Sequence, residues 1–79
     1  MTLEQFRRSI FYHIRKFPKD WRKGQKVFNY IDAKYGVARF VQLADDVDCF
    51  YNDDNIDEFI KLAYKYVEQD PNRDDKSRQ

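Results

Sequence analysis

Leu3, Phe6, Ile10, Ile14 and Phe17 recur at steps of three and four, with Arg8, Tyr12, Arg15 and Lys16 on the opposite side. That period places the apolar set on one helical face. Thr2 and Gln5 have the spacing of a capping box, in which the hydroxyl accepts from a backbone N–H and the amide reaches back. Pro18 ends this first helix, because the residue before a proline avoids the α region. A second stripe of Trp21, Gly24, Phe28, Ile31 and Tyr35, with Val27 at its edge, predicts a helix over residues 21–35. Asp20 is its expected N-cap and Gly36 its expected left-handed stop. Lys23, Lys26, Tyr30 and Lys34 lie on its outward side. Ile56, Phe59, Ile60, Ala63 and Val67 predict a third long helix. Asp53 or Asp54 is expected to cap it, and Asp57 and Glu58 in its first turn suit the helix dipole.

Two shorter stretches separate these helices. Val37, Phe40, Val41 and Ala44 fit one or two further helical turns, and residues 37–41 also fit a short strand. Helix is the preferred expectation. Residues 45–54 read as a polar loop with an apolar centre, in which Phe50 and Tyr51 plug the core. From Asp70 onward nothing can be buried, so a disordered tail is expected over residues 70–79. The fold class is therefore all-α. The expected architecture is one domain over residues 1–69, a compact bundle of three main helices plus a short helical segment and an acidic loop.

Composition bears on whether so short a chain can hold together. Seven Phe, six Tyr and one Trp among 79 residues supply a rich core. Each large aromatic buries roughly 150–250 Å², which offsets the poor surface-to-volume ratio of a small domain. Staples are not available. Cys49 is the lone cysteine and His13 the lone histidine, too few for an internal disulfide or a four-ligand zinc site. A single thiol fits a reducing compartment, and the expected location is cytoplasmic. The first residues have no basic stretch followed by an apolar one, so no secretory leader is expected. No apolar run approaches the roughly 18 residues of a membrane span, so no membrane is expected among the partners.

Candidate chemistry is sparse. His13 has no serine, cysteine or acid at a spacing that would make it a general base. Cys49 lies among acids, which raise a thiol pKa rather than lower it. Seven acids between Asp45 and Glu58 invite a calcium reading, but a frame from Asp46 puts Phe50 at a ligand position. A frame from Asp53 puts Glu58 where the loop needs glycine. The two glycines, Gly24 and Gly36, are too far apart for a phosphate-binding loop. The expectation is a protein without catalytic residues, metal or cofactor.

Charge changes the picture more. Residues 1–40 hold ten Lys/Arg against three Asp/Glu, and residues 41–79 hold five against eleven. Such polarity is satisfied either within one chain or between chains, which leaves the oligomeric state open. The basic half carries a candidate partner-binding surface of Arg8, Tyr12, Arg15, Lys19, Arg22, Lys23, Lys26, Tyr30 and Lys34. Beside it, Arg22, Gln25, Asn29 and Asp32 form a polar strip along the second helix. This strip either recognises a partner or, the plainer expectation, hydrogen-bonds the backbone of the Asp45–Asp54 loop. Gly24 within that helix costs about 1 kcal/mol relative to alanine, which points to close packing against another backbone.

Arg22-x-Gly24-Gln25-x-x-Phe28-Asn29, with Asp48-Cys49-Phe50-Tyr51-x-Asp53 and then Ile56-x-x-Phe59, resembles a pattern in short proteins of bacteria and their phages. In those the second block usually reads Asp-Pro-Phe-Tyr, where this chain has Cys49. The resemblance covers residues 3–62. It implies a compact helical domain in a bacterial or phage setting and no particular chemistry. The expected function is a small non-enzymatic protein–protein interaction or regulatory module. The alternative is a nucleic-acid-binding module that uses the basic faces of the first two helices.

Overall fold

A computed structural model describes residues 1–69; the tail expected over residues 70–79 lies outside the described residues. Four α-helices share one core: α1 (Leu3–His13), α2 (Lys23–Tyr35), α3 (Ala38–Ala44) and α4 (Ile56–Gln69). The all-α class holds: α3 takes up Ala38–Ala44 with Val37 at its N-cap position, and no strand forms among the described residues.

The capping box opens α1 as expected. Gln5 N–H donates to Thr2 Oγ1 at 3.1 Å, and Thr2 N–H donates to Gln5 Oε1 at 2.8 Å. The helix ends earlier than its apolar period suggests. Residues Ile14–Lys16 tighten into a 3₁₀ turn, and Phe17 is extended (ψ 160°) ahead of Pro18. Phe6, Ile10 and Ile14 are buried, whereas Leu3 is exposed because it lies in the first turn, at the rim of the bundle.

Helix α2 corrects the expected start. Arg22, not Asp20, stands at the N-cap position, and its own side chain makes no capping bond. Trp21 precedes the helix and packs its ring on Phe17, with centroids 5.4 Å apart. Pro18 to Trp21 forms a turn closed by the Trp21 N–H on the Pro18 carbonyl at 3.2 Å, which delays the helix by a residue or two. Its end is as expected: Gly36 adopts φ 70°, a left-handed conformation open to glycine at little cost.

Helix α3 buries Val37 just before it, then Ala38 and Val41. Phe40 does not point inward; it is half exposed and rests against Tyr66 of α4 at 6.3 Å. With Val37, Ala38 and Val41 filling the inner face, Phe40 falls outside it. Ala44 is likewise exposed. Ahead of α4, the Asp53–Asn55 segment is a 3₁₀ turn capped by Asn52, whose Oδ1 accepts from Asp54 N–H at 3.0 Å. Neither Asp53 nor Asp54 therefore caps α4 as expected.

Two aromatic groups lock the helices. Phe6 of α1 meets Tyr35 of α2 at 5.3 Å and Tyr64 of α4 at 5.4 Å. Phe28 of α2 meets Phe59 of α4 at 5.5 Å and Phe50 of the loop at 5.4 Å. Tilted and edge-on contacts of this kind contribute about 0.5–1.5 kcal/mol each beyond area burial. Ile56, Phe59, Ile60, Ala63 and Val67 are all buried, so the α4 stripe is as read from its period.

Candidate interaction surfaces

The loop between α3 and α4 is held from inside. Asp48 Oδ1 accepts from Phe50 N–H at 3.2 Å and from Gln42 Nε2 at 2.9 Å, and Oδ2 accepts from Tyr51 N–H at 3.1 Å. Asn55 Nδ2 donates to the Asp48 carbonyl at 2.9 Å. These bonds turn the chain so that Cys49 points inward, Phe50 is half-buried against Phe28, and Tyr51, expected in the core, is exposed instead. Cys49 is fully buried, and its Sγ–H donates to the Gly24 carbonyl at 3.3 Å. Burial first and the nearby Asp48 charge second push its thiol pKa up to about 12. Such a thiol is protonated at neutral pH and is no nucleophile.

The loop is also clamped to the head of α2. Gly24 N–H donates to Asp53 Oδ1 at 3.0 Å, Arg22 Nε lies 3.9 Å from the same oxygen, and Arg22 Nη2 donates to the Phe50 carbonyl. Asp53 thus supplies the cap that α2 lacks locally, with its negative charge at the positive end of the helix. Of the polar strip, Arg22 reaches the loop backbone in the way expected of the whole set. Gln25, Asn29 and Asp32 are half-buried along the same helix.

The expected partner-binding residues divide into groups. Arg15 sits over the Tyr12 ring at 4.4 Å, and Tyr12 meets His13 edge-on at 5.2 Å. His13 in turn stacks on Tyr30 of α2 at 5.3 Å with an interplanar angle of 14°. His13 Nδ1 lies 2.7 Å from the Ser9 carbonyl, which places a proton on that nitrogen. Lys23 lies over Phe11 at 4.6 Å, and Lys34 lies 5.7 Å from the Tyr35 ring. Arg15, Tyr12 and Tyr30 are therefore linked through His13 across the α1–α2 seam, and Lys23 reaches α1 separately at Phe11. Arg8 pairs with Glu4 on its own helix at 3.3 Å, and Lys19 is exposed in the turn before α2. Lys26 is half-buried, and Arg22 turns away toward the loop. Among the described residues, two ion pairs join the basic and acidic halves: Arg7 with Asp57, and Arg22 with Asp53.

A second surface was not singled out by the sequence. Leu43 is 81% exposed on the outer face of α3, with Phe40 one turn before it. Arg39 shares that face and lines a groove of about 260 Å³ with Phe28, Gln42, Phe50 and Tyr51. Tyr51 is 75% exposed at its rim. Arg39 has no ion-pair partner among the described residues. The signal that could have found this surface is that Phe40 and Leu43 lie off the stripe of Val37 and Val41.

Among the described residues, no three His, Cys, Asp or Glu side chains gather where they could hold a metal ion. No described helix is long and apolar enough to cross a membrane. Compared with protein-family models, curated proteins and solved structures, the chain finds no match.

Proposed function

We propose that the protein is a small non-enzymatic interaction module of a bacterium or phage, which binds a protein partner through α3 and the loop that follows it. The observation that carries this reading is Leu43 at 81% exposure, one turn along α3 from Arg39, which lines a groove with Tyr51. Large apolar side chains scattered singly are ordinary, but one on the same helix face as an arginine with no ion-pair partner among the described residues has the makings of an interface anchor. The buried, protonated thiol of Cys49 and the backbone-bound imidazole of His13 support the non-enzymatic part. The bacterial or phage setting rests on the sequence resemblance alone, and a cytoplasmic location rests on the single thiol.

The test is retention from a bacterial lysate on the immobilised protein. The expected result is a discrete protein that is lost with Leu43→Asp and kept with an exposed control on another helix such as Lys65→Asp. Retention of nucleic acid alone, or retention indifferent to Leu43→Asp, would overturn it.

A nucleic-acid-binding reading is favoured by one observation, the Arg15–Tyr12–His13–Tyr30 series of ring contacts bordered by Lys23, Lys26 and Lys34. Phosphate neutralisation and base stacking call for such a surface. It predicts affinity for single-stranded DNA or RNA that falls steeply with salt, and no shift at low salt would dismiss it.

A further inference from the structure

We infer that the groove between α3 and the Asp45–Asp54 loop receives a segment of a partner protein that presents a carboxylate side chain beside a bulky apolar one. This deepens the interaction-module reading and rests on it. The groove walls are rings: Phe28 at its base, with Phe50 and Tyr51 meeting edge-on at 4.8 Å. The space of about 260 Å³ suits a single large side chain and not an extended ligand.

The charge argument selects the second group. Arg39 is exposed at the groove and has no acidic partner among the described residues. Asp48, which Gln42 of the same helix bonds, is already engaged: its two oxygens accept from Phe50 N–H, Tyr51 N–H and Gln42 Nε2. Arg39 therefore presents a guanidinium fork to whatever enters, and that fork matches a carboxylate bidentately. Leu43, one turn along the same face, extends the contact for apolar atoms of the incoming segment.

The same setting argues against a polyanion here. Asp45, Asp46, Asp48, Asp53 and Asp54 all belong to the loop that forms one wall. A phosphodiester chain would place several charges near them, whereas a single carboxylate side chain places one.

The test is an amide-shift titration of the full chain with acetyl-leucyl-glutamate amide, its glutamine counterpart and hexathymidylate. The expected result is saturable shifts at Arg39, Gln42, Phe50 and Tyr51 with the glutamate peptide. Affinity for the glutamine peptide should be weaker by about tenfold, the scale of one charge-assisted contact. Arg39→Gln should remove that preference while leaving the helical circular dichroism unchanged. Equal affinity for both peptides, no saturation at these residues, or hexathymidylate as the tighter ligand at the groove would overturn the inference. If the titration fails while the lysate partner is still lost with Leu43→Asp, the module reading stands and only the partner chemistry is wrong. If both fail, both fall.

Discussion

The carbonyl oxygen of Cys49 occupies the space that a side chain on Gly24 would need. A Cβ there would also lie 2.7 Å from Asp53 Oδ1 and 3.0 Å from the Cys49 carbonyl carbon. Two of these neighbours are backbone atoms, fixed by the Asp48 turn. Gly24→Ala gains helix propensity of about 1 kcal/mol but forces the loop off α2. The net expectation is a loss of about 2 kcal/mol, seen as a fall in Tm on the order of 10 °C. Thermal unfolding followed by circular dichroism checks it, and a rise in Tm would show that the loop yields freely.

Asp53 caps α2 from 29 residues away in sequence, through its 3.0 Å bond from Gly24 N–H. Asp53→Ala removes a side-chain acceptor at that helix start and should cost about 1 kcal/mol in urea unfolding. Asp53→Asn keeps an acceptor oxygen and should recover most of that loss. If Asn and Ala destabilise equally, the bond contributes little and the carboxylate charge carries the effect.

How far the sequence revealed this architecture depends on distance along the chain. The capping box at Thr2, the stop at Gly36 and the stripe from Ile56 to Val67 involve neighbours within a few residues, and period and spacing report them directly. Gly24 was legible as a site of close backbone approach, though not the partner, because a glycine inside the helix expected over residues 21–35 has a local cost. Asp53 was misassigned because it sits where an N-cap for α4 belongs, and only the tertiary fold brings it to α2. The groove around Arg39 draws on α2, α3 and the loop, three segments with no shared period. The basic residues of α1 and α2 were legible as a face, but their junction through His13 and Tyr30 needed the packing of the two helices.

Phe59 and Phe40 have the same side chain and opposite surroundings. Phe59 is fully buried against Phe28, whereas Phe40 is half exposed beside Tyr66. Phe59→Ala should cost about 3–5 kcal/mol, enough to unfold a domain of this size at moderate temperature. Phe40→Ala should cost under about 1 kcal/mol and leave the near-ultraviolet signature of the core intact. Comparable losses at the two positions would mean that α3 is packed more tightly than its exposure indicates.

The buried thiol makes stability depend on alkaline pH in a direction that can be worked out. Burial, reinforced by Asp48, raises Cys49 from the ordinary 9.0 to about 12 in the folded protein. Below pH 9 the thiol is protonated in both states, and its contribution to stability is fully present. As pH rises from about 9 to about 12, the unfolded chain releases the proton while the folded chain keeps it. Unfolding is then favoured by at most about 1.4 kcal/mol per pH unit. Raised phenols at Tyr64 and Tyr66 act in the same direction, so the wild-type slope alone does not isolate the thiol. Cys49→Ser keeps a donor toward the Gly24 carbonyl and does not titrate in this range. The stability difference between wild type and Cys49→Ser, taken from urea unfolding at pH 8, 9 and 10, should therefore be constant below pH 9. Above it, the difference should shift steadily in favour of the serine variant. A difference that stays flat to pH 10 would mean that the thiolate is tolerated in the fold, and native Cys49 should then react with a water-soluble disulfide reagent without waiting for the loop to open.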